Sequence, residues 1–134
     1  MLINLKTILS GKEKQAVGSF NIYSYETIKG VCKAVEKTKM PAIISFGASY
    51  LKNMSLETVK YITEEASKDL PADVALHLDH CKDIEIIKAA IEAGFTSVMY
   101  DGSALPFEEN VKYSRAVANM AHAKGVSVEA ELGS

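Results

Sequence analysis

Short apolar runs alternate with longer segments of helical periodicity along the whole chain, and this alternation restricts the fold more than any other feature. The runs begin near Ala16, Pro41, Asp73, Thr96 and Val126. One run plus the segment behind it therefore occupies about 23 to 32 residues, the size of one βα unit. In the intervening segments Ile28, Val31, Cys32 and Val35 fall at i, i+3, i+4 and i+7, and Leu56, Val59, Ile62 and Ala66 trace a similar stripe. Ile84, Ile87 and Ile91 mark a third helix, and Val111, Ser114, Val117 and Ala121 a fourth. The runs themselves, such as Ala42-Ile-Ile-Ser-Phe46 and Val74-Ala-Leu76, are continuously apolar, as expected of parallel strands buried on both faces. The expected fold class is α/β.

Local punctuation agrees. Ser55 and Asp83 suit helix N-caps, Pro106 suits a first helical turn with Glu108 and Glu109 near its positive end, and Gly94 and Gly125 follow helices as C-cap residues. The 134 residues contain no low-complexity segment or linker and are enough for one domain with a sizeable core.

A doubly wound nucleotide binder should carry a Gly-rich turn after its first strand, but that segment reads Val17-Gly-Ser-Phe-Asn21-Ile-Tyr-Ser24. What stands out instead is chemistry at strand ends. Val74-Ala-Leu-His-Leu-Asp-His80 ends on a carboxylate and an imidazole, Val98-Met-Tyr-Asp101-Gly-Ser103 on a carboxylate, and Val126-Ser-Val-Glu129-Ala-Glu131 on two. A (β/α)8 barrel assembles its active site from groups at the C-terminal ends of several strands, so the barrel is favoured. Eight strands need about 250 residues. The chain is thus expected to supply the first five strands and four to five helices of one barrel.

A net charge of −2 offers no electrostatic footprint for nucleic acid or anionic membrane, and no apolar run approaches the roughly 18 residues needed for a span. The N-terminal Met1-Leu-Ile-Asn-Leu-Lys6 has no signal-peptide pattern, so a cytoplasmic location is expected. Cys32 and Cys81 share no motif spacing and read as reduced, structural thiols.

Several of these segments carry a family resemblance. Ala75-Leu-His-Leu-Asp-His80, Ala93-Gly-Phe-Thr-Ser-Val-Met99, Asp101-Gly-Ser103, Leu105-Pro-Phe-Glu-Glu-Asn110, Ala121-His-Ala-Lys-Gly125 and Val126-Ser-Val-Glu-Ala-Glu-Leu-Gly133, with Val17-Gly-Ser-Phe-Asn21, resemble the class II, zinc-dependent fructose-bisphosphate and tagatose-bisphosphate aldolases. The resemblance spans the chain, and residues 1–134 would then be the N-terminal portion of a single barrel domain. It implies that Asp79 is the active-site acid exchanging a proton with the aldehyde or hydroxyl oxygen, and that His80 is the first of three histidines on the catalytic zinc. Asp101 and Glu131 match ligands of a second or alternate divalent-metal position, and Asn21 matches an asparagine near the substrate. The implied reaction is the reversible cleavage of fructose 1,6-bisphosphate to dihydroxyacetone phosphate and glyceraldehyde 3-phosphate, a step of glycolysis, by a cytoplasmic homo-oligomer.

The residue types suit that chemistry. Aldol cleavage passes through an enediolate, and Zn2+ on neutral imidazoles polarises the ketose carbonyl while an adjacent carboxylate moves the proton. A Schiff-base mechanism needs a placed lysine, and all fourteen lysines fall in helical or loop patterns. His77 shares a side with Asp79 and is read as an orienting or core histidine; Glu129 and Glu131 share a face, one as ligand and the other supporting it; His122 is read as a solvated or capping residue. One departure concerns a phosphate-binding serine that relatives carry near the end of the second strand, where counting from Pro41 finds Gly47 between Ser45 and Ser49. The remaining zinc ligands, the enolising base and the other phosphate contacts would lie beyond residue 134. Tagatose bisphosphate is the alternative substrate. The alternatives to an enzyme are an inactive half-barrel that binds metal or sugar phosphate, or one that only assembles with a partner.

Overall fold

In the computed structural model residues 1–10 and 15–133 are described. The elements run α1 (Leu5–Leu9), β1 (Gly18–Asn21), α2 (Tyr25–Thr38), β2 (Ala42–Gly47), a 3-10 turn (Ala48–Tyr50), α3 (Leu56–Ser67), β3 (Val74–Cys81), α4 (Ile84–Ala93), β4 (Ser97–Tyr100), α5 (Phe107–His122) and β5 (Ser127–Ala130). The strands form one sheet in the order β1-β2-β3-β4-β5, and every pair is parallel. Each strand thus lies beside its sequence neighbour with a helical segment between, the arrangement of consecutive βα units in a barrel. Because all five strands run the same way, their C-terminal ends share one rim.

Alternation along the strands divides the two faces of the sheet. Ile44 and Phe46, Leu76 and Leu78, and Val98 and Tyr100 pack into the main hydrophobic cluster with Ile28, Cys32, Val59, Ile87 and Val117 from the helices. Ser45, His77 and Ser97 take the intervening positions; they are buried but lie outside that cluster. The helix side is a dry core, and the opposite side is where polar groups collect.

Helix ends follow local chemistry. Ser24 and Thr27 form a reciprocal capping box at α2, Ser55 accepts from the Thr58 amide at α3, and Asp83 accepts from the Glu85 amide at α4. Gly94 closes α4 at φ 101°, a conformation that suits glycine. Two expected boundaries shift. Pro106 is the N-cap of α5 and not its first turn: its ψ of 145° keeps it outside the helix while its carbonyl accepts from the Asn110 amide. Gly125 is not the C-cap, which is Ala123; at φ 71° Gly125 instead turns the chain so that the Val126 amide reaches the Ala121 carbonyl.

The short α1 has no counterpart in the sequence pattern. It is seated by non-local bonds, from the Ile3 amide to Val74 O, the Asn4 amide side chain to Gly125 O, and the Lys6 amide to Ser127 Oγ.

Leu76 is fully buried at the centre of the cluster, so Leu76→Ala should cost about 2–5 kcal/mol in denaturant unfolding. A loss below 1 kcal/mol would contradict the packing described. Among the described residues β1 pairs only with β2 and β5 only with β4, and Phe20 on β1 is 49% exposed. Unpaired parallel edges recruit further strands. The 134-residue chain by itself is therefore expected to self-associate in sedimentation; a monomer with a sharp cooperative melt would show that the edges are covered.

Candidate functional site

An irregularity in β3 creates the site. The register of β3 on β4 passes from Leu78 opposite Val98 to Cys81 opposite Tyr100, so β3 carries one extra residue between these pairs. His80 absorbs it at φ 46°. This is a β-bulge, which bends a strand and re-aims its side chains. The burial pattern shows the effect: Leu76, Leu78 and Cys81 all belong to the helix-side cluster, although regular alternation would turn Cys81 away from it. Asp79 and His80 therefore both fall to the rim, where an unbroken strand would send them to opposite faces.

At the rim the structure brings His80, Asp101 and Glu131 together. His80 Nδ1 lies 3.1 Å from Asp101 Oδ2 and 3.6 Å from Glu131 Oε2, and one ligand atom from each residue falls within 4.8 Å of the others. The His80 side chain is 57% exposed while Asp101 is nearly enclosed, so the imidazole faces solvent over a fixed carboxylate. Asp101 Oδ1 accepts from the Ser103 hydroxyl at 2.6 Å and from the Ser103 amide at 3.2 Å. The Ser103 hydroxyl first, and His80 next, hold the Asp101 carboxyl down at about 2. The hydrogen bond that its ring donates to Asp101 raises the His80 imidazole above its ordinary value, against partial burial and with help from the charges of Asp79, Asp101 and Glu131.

A second imidazole and carboxylate lie one layer deeper. His77 is buried, its Nδ1 2.8 Å from Ser97 Oγ, and its Nε2 lies 3.1 Å from Glu129 Oε2 and 3.9 Å from Asp79 Oδ1. That nitrogen has no well-aligned hydrogen-bond partner among the described residues. The facing imidazole is the chief reason the Glu129 carboxyl sits below its ordinary range. Asp79 thus stands between the two layers, beside His77 on one side and close enough to His80 to influence its charge.

A cavity of about 200 Å³ opens beside the cluster, lined by Asn21, Gly47, Ala48, Ser49, Tyr50, Asp79 and His80. Asn21 ends β1 and so joins the rim from two strands away. Ser49 borders the cavity, whereas Ser45 is buried within β2. At Gly47 a Cβ would approach the Tyr50 ring at 3.2 Å, and that ring meets Tyr23 edge-on at 4.7 Å. His122 is exposed on α5, and Cys81 is buried with its thiol donating to Asp83 O, its ionisation suppressed chiefly by burial.

Two participants escaped sequence reasoning. The bulge leaves no residue signature, since no glycine marks it and its positive φ falls on His80. Asn110 lies in a helical pattern, yet it is buried and its amide donates to the Glu131 carbonyl at 2.8 Å. A polar residue on the buried stripe of an amphipathic helix was the available signal.

A parallel sheet of consecutive βα units with ionisable groups converging on its C-terminal rim defines a barrel-type active-site scaffold. Residues 4–134 match the family model "Fructose-bisphosphate aldolase class-II", and the chain belongs to that family. It is 42% identical over 133 residues to a sulfofructosephosphate aldolase of Alkalicoccus urumqiensis, covering 98% of this chain and 46% of the relative. It is 43% identical over 139 residues to a fructose-bisphosphate aldolase of Geobacillus stearothermophilus, covering 98% and 48%. The crystal structure of the YdjI aldolase from Escherichia coli K12 superposes with a TM-score of 0.91 at 34% identity, over 99% of this chain and 53% of that one. The chain spans about half the length of the curated relatives it matches. Among the described residues no helix is long and apolar enough to cross a membrane.

The paired shifts set a pH dependence for the metal-free protein. Asp101 is lowered on folding, so its contribution to stability is complete above the ordinary carboxylate range and is lost as pH falls toward 2. His80 is raised, so its contribution is complete below about 6.5 and is lost as pH rises through its folded value. An NMR titration should place the His80 ring midpoint above about 6.5. Asp101→Asn should bring it down, and an unmoved midpoint would show that the Asp101 contact is not its cause.

Proposed function

We propose that the protein carrying this chain is a class II ketose-bisphosphate aldolase that reversibly cleaves fructose 1,6-bisphosphate to dihydroxyacetone phosphate and glyceraldehyde 3-phosphate, with residues 1–134 forming part of its single barrel domain. The observation that carries this reading is the meeting of His80, Asp101 and Glu131 at the rim, with Asp79 and Asn21 on the adjoining cavity. The cytoplasm and a homo-oligomeric assembly belong to the same proposal.

Imidazole and carboxylates are donors that divalent zinc accepts: His80 would hold the catalytic Zn2+, and Asp101 and Glu131 would serve a second or alternate divalent-metal position beside it. A Zn2+ bound there would supply Lewis-acid polarisation of the ketose carbonyl. Asp79, anchored by β3 beside the cavity, exchanges a proton with the sugar hydroxyl oxygen as the carbon–carbon bond breaks or forms. Asn21, which lines the same cavity, offers both a donor and an acceptor to substrate hydroxyls.

Of the chain's three histidines, His77 is buried against Glu129 and His122 lies exposed on α5, which leaves His80 as the rim imidazole. The 134 residues alone are therefore expected to show no aldol turnover. In the full-length protein Asp79→Asn should lower kcat about 10²–10⁴-fold with metal content unchanged, and His80→Ala should lose metal and turnover together. A coupled assay on fructose 1,6-bisphosphate, tagatose bisphosphate and sulfofructose phosphate, with metal analysis, decides the matter. The third substrate is included because the Alkalicoccus relative bears its name. Wild-type protein that binds zinc or sugar phosphate without turnover would support the inactive half-barrel instead, and full activity in Asp79→Asn would remove Asp79 from the proton transfer.

A further inference from the structure

The β4–β5 ladder ends at Tyr100 opposite Ala130, one residue short of Asp101 and Glu131. Past that point β4 and β5 have no further paired residues, while the Asp101 amide continues the pairing of β4 with β3 by donating to Cys81 O at 2.9 Å. The Glu131 carbonyl instead accepts from Asn110 Nδ2 at 2.8 Å, so a side chain from α5 takes the place of the missing ladder bond. Asn110 is only 5% exposed, and its Oδ1 is occupied by the Ser114 hydroxyl at 3.1 Å, so its orientation is determined. On its other side lies Gly102, directly after Asp101: a Cβ there would stand 2.4 Å from Asn110 Oδ1 and 2.9 Å from both Asn110 Cγ and the Tyr100 ring. One buried amide is thus wedged between the backbones that carry two of the three cluster residues.

We propose that Asn110 is a positioning residue that sets the separation of Asp101 and Glu131 for metal binding, and that Gly102 is glycine in order to admit it. The assignment rests on the metal reading above and adds a requirement to it. Helical bonding fixes where Asn110 sits on α5, so the amide is a rigid spacer between the end of β5 and the turn after β4. Remove it, and Glu131 loses the hydrogen bond that ties its carbonyl to α5, while Asp101 remains held by Ser103. The carboxylate pair then loses its fixed spacing.

The test is Co2+ binding to metal-free, full-length protein, read by visible absorption and by chelator competition. Asn110→Ala should weaken affinity about 10- to 100-fold, the range seen when groups supporting metal ligands are removed. Asn110→Asp keeps the shape but replaces the donor with an acceptor facing a carbonyl, and should weaken binding at least as much. Gly102→Ala should weaken binding by displacing Asn110. Combined with Asn110→Ala it should cost less than the product of the two separate losses, because the amide it collides with is gone. Ser114→Ala, which removes the bond that orients the amide but leaves the donor to Glu131 in place, should weaken binding less than Asn110→Ala. If Asn110→Ala fails to fold, Asn110→Asp and Gly102→Ala decide the question. Wild-type affinity in these variants would overturn the assignment alone, whereas absence of Co2+ binding to the wild type would overturn the metal reading and the assignment with it.

Discussion

The extra residue that β3 accommodates at His80 is the constraint on which the rim depends. A regular strand has a period of two, so it cannot direct two adjacent side chains to one site. The bulge removes that restriction for Asp79 and His80, and it also returns Cys81 to the core opposite Tyr100. A non-glycine residue at φ 46° carries a backbone cost on the order of 1–3 kcal/mol. The surroundings hold it there: Cys81 is buried directly after it, the Asp101 amide bonds Cys81 O, and the His80 ring rests on Asp101. Strain maintained in this way occurs where geometry serves a site.

Two layers of imidazole and carboxylate follow from that geometry. In the lower layer His77 faces Glu129; in the upper layer His80 faces Asp101 and Glu131. The layers repeat because residues two apart on β5 point to the same side, as do His77 and Asp79 on β3. They differ in burial, and that difference divides their work. The buried His77, tied to Ser97, makes a stiff floor, while the exposed His80 presents its ring outward. Three carboxylates bear on His80, and they stabilise any positive charge among them, whether a proton on the ring or a bound cation.

Backbone accounting explains why α5 matters to a site on the sheet. A parallel ladder satisfies amides and carbonyls only as far as the strands remain paired, and Asp101 and Glu131 lie just past the last β4–β5 pair. Polar groups at such ends must find other partners. Ser103 serves the Asp101 carboxylate, Cys81 O serves the Asp101 amide, and Asn110 serves Glu131 O. The helix α5 is therefore part of the site, although it provides no residue to the cluster of three.

Much of the architecture was legible in order along the chain, because the information is local. Continuous runs such as Ala42–Phe46 state that both strand faces are buried, Ser55, Asp83 and Gly94 mark helix ends through bonds within a few residues, and apolar stripes at helical spacing give each helix its inner face. That His80, Asp101 and Glu131 end three strands was equally visible. Their meeting was not, since it requires the parallel order β3-β4-β5 and a bulge whose register exists only between paired strands. The place of α1, the facing of His77 and Glu129, and the reach of Asn110 to Glu131 likewise depend on residues far apart in the chain. Sequence alone determined the βα repeat and the chemical groups offered at strand ends, because periodicity and residue type are local properties. Tertiary structure decided which of those groups share a centre, because distances between strand ends are set by pairing and packing.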